Sequence, residues 1–118
     1  MTVAFDKAVT YADIRIMEYS GLDQSSPLDV SSSFAGTSPQ ATSGSATTRF
    51  ARELIIGAGM TSGSFSSAGT GFTKRIITNP DADIVEDRSV TATGTYSATA
   101  NQSGTWLMQM VTFKAAGQ

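Results

Sequence analysis

Neither cysteine nor histidine occurs in the 118 residues. Without cysteine there is no disulfide framework, no thiol nucleophile and no thiolate metal site. Without histidine, Ser-His-Asp and Cys-His catalysis are excluded, and zinc loses its usual ligands. Acid–base chemistry is left to carboxylates, lysine and tyrosine. A metal site would have to be built from oxygen alone, which selects calcium, magnesium or manganese. Basic charge is scarce as well. Eight Lys and Arg against ten Asp and Glu leave a net charge of −2 with no basic cluster, which argues against a nucleic-acid partner. No apolar run approaches the ~20 residues of a membrane span, and the opening MTVAFDKAVTY shows no signal-peptide pattern.

What fills the chain instead is small and polar. Ser, Thr, Ala and Gly make up close to half of it, while hydrophobic residues account for 40% and charged ones for only 15%. Ser and Thr tolerate strands and turns and solvate a sheet face without charge; such a skew is common in exported bacterial β-domains. Helical periodicity is nearly absent. Alternation and β-branched runs, punctuated by Gly, Pro, Asn and Ser, predict an antiparallel all-β fold, a sandwich or barrel. The length suits one domain with a modest core over residues 1–118.

Along the chain, TVAF (2–5) reads as a strand that begins abruptly, and AVTYADIRIMEYS (8–20) as the best-defined strand. Its alternation sets Ala12, Ile14 and Ile16 on one face and Asp13, Arg15, Met17 and Tyr19 on the other. A turn-rich loop (21–29) leads to a nearly low-complexity stretch (31–48), with strands expected near 29–34 and 42–48. Leu54, Ile55 and Ile56 are apolar on both faces and predict a central strand. Gly57 and Gly59 after them indicate a bulge or a close backbone approach. Residues 66–71 read as a loop, 72–78 as a strand, 79–83 as a turn, IVED (84–87) as a short strand, 89–100 as one long alternating strand, and 101–104 as a turn. In 105–116, Trp106, Met108 and Met110 oppose Leu107, Gln109, Val111 and Phe113, which predicts a second central strand.

Four phrases, DIRIMEYSGLD (13–23), ELIIGAGM (53–60), FTKRIITNPDADIVEDRSVTATGTYSATA (72–100) and WLMQMVTFK (106–114), together resemble a recurrent, mostly uncharacterised β-domain of long exported or surface proteins of environmental bacteria. The resemblance runs in order over nearly the whole chain. It implies a sandwich of jelly-roll character, an extracellular or cell-surface setting and no assigned chemistry. It also implies further strands upstream of TVAF, so that this chain corresponds to the C-terminal part of the larger domain. A sandwich lacking part of a sheet leaves apolar face and unpaired edge exposed. Association with a second copy is therefore expected, a homodimer first, with Trp106, Met108 and Met110 as anchors.

NPDADIVEDR (79–88) holds four of the ten carboxylates: Asp81, Asp83, Glu86 and Asp87. An Asn-Pro turn with Asp capping its own backbone, plus Glu86 or Asp87 paired with Arg88, accounts for it most simply. These four are also the candidate ligands for Ca²⁺ or another hard divalent cation, which takes six to eight oxygens. The window is not an EF-hand, because Val85, Glu86 and Ala92 fall where that loop needs a ligand, glycine and glutamate. Glu18 follows the parity of Ile14 and Ile16, which points it at the core beside Arg52 or Arg88 unless the strand ends first. Converging with Asp81, Asp83 or Glu86, it would form an acid–base pair of glycosidase type. Few titratable groups favour binding over catalysis. The expected function is a non-catalytic binding or structural module with a carbohydrate or protein ligand; the alternative is a small carboxylate- or metal-dependent hydrolase of phosphoesters or glycosides.

Overall fold

Runs of β-branched and apolar residues between Gly, Ser and Asn turns fold into strands throughout, and the chain forms no helix. The structure, a computed structural model, describes residues Met1–Gln118. The strands are β1 (Leu28–Gly36), β2 (Gln40–Thr42), β3 (Ala46–Thr47), β4 (Glu53–Thr61), β5 (Phe65–Ala68), β6 (Thr73–Ile77), β7 (Ile84–Val90), β8 (Thr95–Tyr96), β9 (Thr99–Gln102) and β10 (Trp106–Lys114). All pairings are antiparallel. A five-stranded sheet has the order β1-β10-β4-β7-β6, a three-stranded sheet the order β2-β9-β5, and β3 pairs with β8. No helix is present that is long and apolar enough to cross a membrane.

Antiparallel partners share a face, so the register assigns the two sides of the larger sheet. Trp106, Met108 and Met110 stand opposite Thr61, Gly59 and Gly57, and Gly59, Gly57 and Ile55 stand opposite Ile84, Glu86 and Arg88. This is the inner face. Its Ile55, Ile84, Val90, Trp106, Met108 and Met110 join one buried cluster with Ala41, Phe65 and Ala100 of the smaller sheet and with Ala98 just ahead of β9. Two sheets sharing one apolar layer make a β-sandwich. The glycines of β4 set how closely the sheets approach. A Cβ on Gly59 would lie 2.5 Å from the Phe65 ring and 2.9 Å from Met108 Sδ, and one on Gly57 only 2.8 Å from Ala98 Cβ. The β4 register is regular on both sides, so these residues mark a close approach and no bulge.

The outer face is covered over half its width. Residues 12–20 lie across β4 and β7 as an extended strap. It is held by Arg15 on the carbonyl oxygens of Gly59 and Ile84, by Tyr19 on Asp87, and by a bridge from Leu22 to Ala115 beyond β10. Burial along the strap alternates strictly: Asp13, Arg15, Met17 and Tyr19 are half-buried, while Ala12, Ile14, Ile16, Glu18 and Ser20 are exposed.

Several expectations are corrected here. TVAF and 8–20 belong to no sheet. The 8–20 alternation is real but its sense is inverted, because the polar set finds partners on the sheet that the isoleucines cannot match. Glu18 is accordingly exposed, without an arginine partner. The 66–71 loop contains most of β5, and the 42–48 strand splits into β2 and β3. IVED extends to seven residues as β7. The long 89–100 strand does not exist: its segment divides among the end of β7, β8 and the start of β9, which extends into the expected 101–104 turn. Trp106, Met108 and Met110 are inside the sandwich and cannot anchor a second copy.

Candidate functional site

Strand alternation decides what the acidic window becomes. Asp83 enters β7 on the outer side with Val85 and Asp87, while Glu86 points the other way into the sandwich. Asp81 stays in the turn, half-buried and without a hydrogen bond or ion pair. Asp81, Asp83, Glu86 and Asp87 therefore do not converge, and no group of three or more acidic side chains stands close enough to hold a metal ion. Glu18, exposed on the far side of the strap, joins none of them.

Each of the other three is committed to a different structural task. Asp83 accepts the Thr61 N–H at 3.0 Å and faces the Arg15 guanidinium at 3.7 Å. Burial raises its pKa, offset in part by that N–H and by Arg15, and nearby Asp13 and Asp81 push the same way as burial. Asp87 takes both arms of the Arg75 fork, at 2.6 and 2.9 Å, and the Tyr19 hydroxyl at 2.5 Å. Burial acts to raise its pKa, but the fork and the hydroxyl outweigh it and the net shift is downward. Burial, followed by the Asp87 carboxylate, pushes Tyr19 up to about 12. The expected pairing with Arg88 is not made; Arg88 lies over the Tyr96 ring, 5.5 Å from its centroid.

Glu86 is fully buried between the sheets. Oε2 accepts the Gly69 N–H at 2.9 Å, Oε1 has no partner, and no cation is near. Burial pushes its pKa up to about 7, with only the Gly69 and Thr99 N–H groups opposing it.

A second acid pair was not legible in the sequence, because Asp29 and Glu53 are far apart along the chain and meet only where β1 and β4 begin. Both are buried. Arg49 donates Nε to Asp29 Oδ1 at 2.5 Å and its backbone N–H to Oδ2 at 2.8 Å. Burial raises Glu53, with the Asp29 charge adding to it. For Asp29, burial is outweighed by the Arg49 N–H, the Glu53 hydrogen bond and the Arg49 guanidinium, and its pKa falls. This pair resembles a proton-sharing dyad, but the Asp29 side chain is wholly inaccessible, so no substrate reaches it.

One open cleft lies near the acidic turn. It occupies about 840 Å³ at the end of the larger sheet, between the strap, the Pro80–Asp81 turn and the β4 and β10 ends. Tyr11 stands at its mouth, 82% exposed, with Asp81, Ser62, Thr105 and Leu107 around it and the Asp13–Arg15–Asp83 group forming one wall. Of the acidic-window residues, only Asp81 and Asp83 line it. The mixed strap face of Asp13 and Arg15 was the one sequence signal for this wall. The cleft offers an aromatic edge, hydroxyls, one uncommitted carboxylate and an apolar patch. That set suits reversible contact with a polar ligand. Comparison with known proteins finds no matching family model, no matching curated protein and no matching solved structure.

Proposed function

We propose that this chain is a non-catalytic binding module of an exported or cell-surface bacterial protein, of the kind its sequence resembles, acting as a homo-oligomer and taking a carbohydrate or protein ligand in the cleft beside Tyr11 and Asp81. The observation that carries this reading is the commitment of the carboxylates. Asp13 and Asp83 share the single charge of Arg15, at 3.0 and 3.7 Å, Asp87 is paired with Arg75, and Glu86 and the Asp29 side chain are sealed from solvent. No two free carboxyl groups oppose each other across the cleft, as general acid–base hydrolysis requires. The chain path supports the jelly-roll character, because successive segments pass repeatedly from β1-β10-β4-β7 to β2-β9-β5 and back.

Affinity electrophoresis through gels containing soluble polysaccharides tests the ligand. Retarded migration, relieved at least tenfold in dissociation constant by Tyr11→Ala or Asp81→Ala, is the expected result. Turnover of aryl phosphates or aryl glycosides with added divalent cations, abolished by Asp83→Ala, would replace this reading with a hydrolase. Absence of both binding and turnover leaves protein as the ligand class, to be read by the same two variants in a pull-down.

A further inference from the structure

Carboxylates outnumber cations in the cleft beside Tyr11. Asp13, Asp81 and Asp83 line it, Arg15 is its one basic side chain, and no lysine is among its walls. The guanidinium is already largely engaged. Its Nη1 donates to the carbonyl oxygens of Gly59 and Ile84 at 3.1 and 2.9 Å, which leaves Nε beside Asp13 and Nη2 at 3.7 Å from Asp83. Among the carboxylate oxygens of Asp13, Asp81 and Asp83, only Asp83 Oδ1 accepts a hydrogen bond, from the Thr61 N–H. Asp83 Oδ2 has no donor although the side chain is only 7% exposed. The buried Oδ2 of Asp13, though beside Arg15 Nε, accepts no hydrogen bond either. Acceptors left this way in a folded protein call for a donor or a charge from outside the chain. Burial raises the Asp83 pKa, the Thr61 N–H and Arg15 oppose it, and the charges of Asp13 and Asp81 add to it. A cation entering the cleft relieves that repulsion.

The rest of the lining suits a particular carrier for the cation. Tyr11, 82% exposed, offers a ring face for stacking and for cation–π attraction. Thr105 Oγ1 makes no hydrogen bond. Ser62 Oγ accepts the Thr105 N–H at 3.0 Å and keeps its own proton free to donate. At about 840 Å³ the cleft is far wider than the slot that one lysine side chain fills. Sugar rings fit such a space, with their faces on the aromatic ring and their hydroxyls against Ser62 and Thr105.

We propose that the ligand of this cleft is a polysaccharide of amino sugars with free ammonium groups, one ammonium seated on Asp81 and Asp83 and the ring that carries it against Tyr11. This names the ligand class of the site proposed above and rests on that reading. A neutral or N-acetylated sugar brings hydroxyls to the same groups but no charge to set against the carboxylates, and an acidic polysaccharide is repelled.

Calorimetric titration with short oligomers of glucosamine and of N-acetylglucosamine, at mildly acidic pH where the sugar amine is protonated, isolates the charge. The glucosamine oligomer should bind at least tenfold tighter, and added salt should narrow the gap. Asp81→Asn should close most of that gap without moving the melting temperature, since Asp81 makes no hydrogen bond or ion pair. Tyr11→Ala should weaken both oligomers alike. Glu18→Gln removes the same charge from the exposed side of the strap and should leave both affinities unchanged. Equal affinities weakened by Tyr11→Ala, or a gap that survives Asp81→Asn, overturn the ammonium seat and leave the cleft reading standing. Binding of a lysine-rich peptide in place of both oligomers, lost with Asp81→Asn, replaces the polysaccharide with a basic protein. Affinities that neither Tyr11→Ala nor Asp81→Asn changes overturn the seat and the cleft together.

Discussion

Glu86 and Asp87 are consecutive residues of β7, yet they sit in opposite environments. On the inner face, apolar layers press together over Gly57 and Gly59, and Glu86 is enclosed with two N–H donors and no counter-charge. On the outer face, the strap and β6 deliver Tyr19 and Arg75 to Asp87, and burial is more than compensated. One carboxyl is pushed toward its neutral form and the other is held ionised. Burial alone does not set the state of an acid; the partners that the tertiary fold brings to it do.

The comparison breaks most severely at the core itself. Met108→Ala removes a fully buried side chain that packs against Gly59 and should cost about 2–5 kcal/mol, read by urea denaturation. The matching outer-face change, Leu107→Ala, at a side chain 38% exposed, should cost well under half as much.

Next in size is the pH dependence that Glu86 imposes. Its folded pKa of about 7 lies above its ordinary value of 4.5. Its contribution is therefore complete below about pH 4.5 and is lost as pH rises through 7. The full swing is about 3 kcal/mol. Glu86→Gln should flatten the melting temperature between pH 5 and pH 8, and an unchanged slope would show that Glu86 titrates as an ordinary carboxylate. Asp87 has the opposite sign. Its depressed pKa adds stability present above the ordinary 3.8 and lost as pH falls through the folded value. Asp87→Asn should cost about 1–3 kcal/mol at neutral pH, since it leaves Arg75 and Tyr19 without their charged acceptor. The smallest effect is Tyr19→Phe, about 1 kcal/mol. It should raise the rate of proteolytic cleavage within residues 12–20 selectively, because that hydroxyl fastens the strap to β7.

The acidic window shows how far sequence reading reaches. The turn at 79–83 and the strand after it were legible, since Asn-Pro and a β-branched pair are local signals. Alternation already separates Glu86 from Asp87, so the division of the window between two faces was available in principle. Which face was inner was not, because β7 has Val85 and Ile84 on opposite sides and both are buried. The strap posed the same problem with the opposite result. Its period of two was visible, but hydropathy pointed Ile14 and Ile16 inward. The sheet beneath presents carbonyl groups and carboxylates, which Arg15 and Tyr19 satisfy and isoleucine cannot.

By itself the sequence determined the fold class, the central places of β4 and β10, and the exclusion of histidine and cysteine chemistry. Those follow from composition and from periodicity along short runs. Only the tertiary structure decided which acids meet a cation, which are sealed away, and that Asp29 and Glu53 share a site. Such contacts join residues distant in the chain, and register, sheet order and the path of the strap are set by the summed burial of the whole chain. Pattern specifies the strand; the sum over all strands specifies its neighbours.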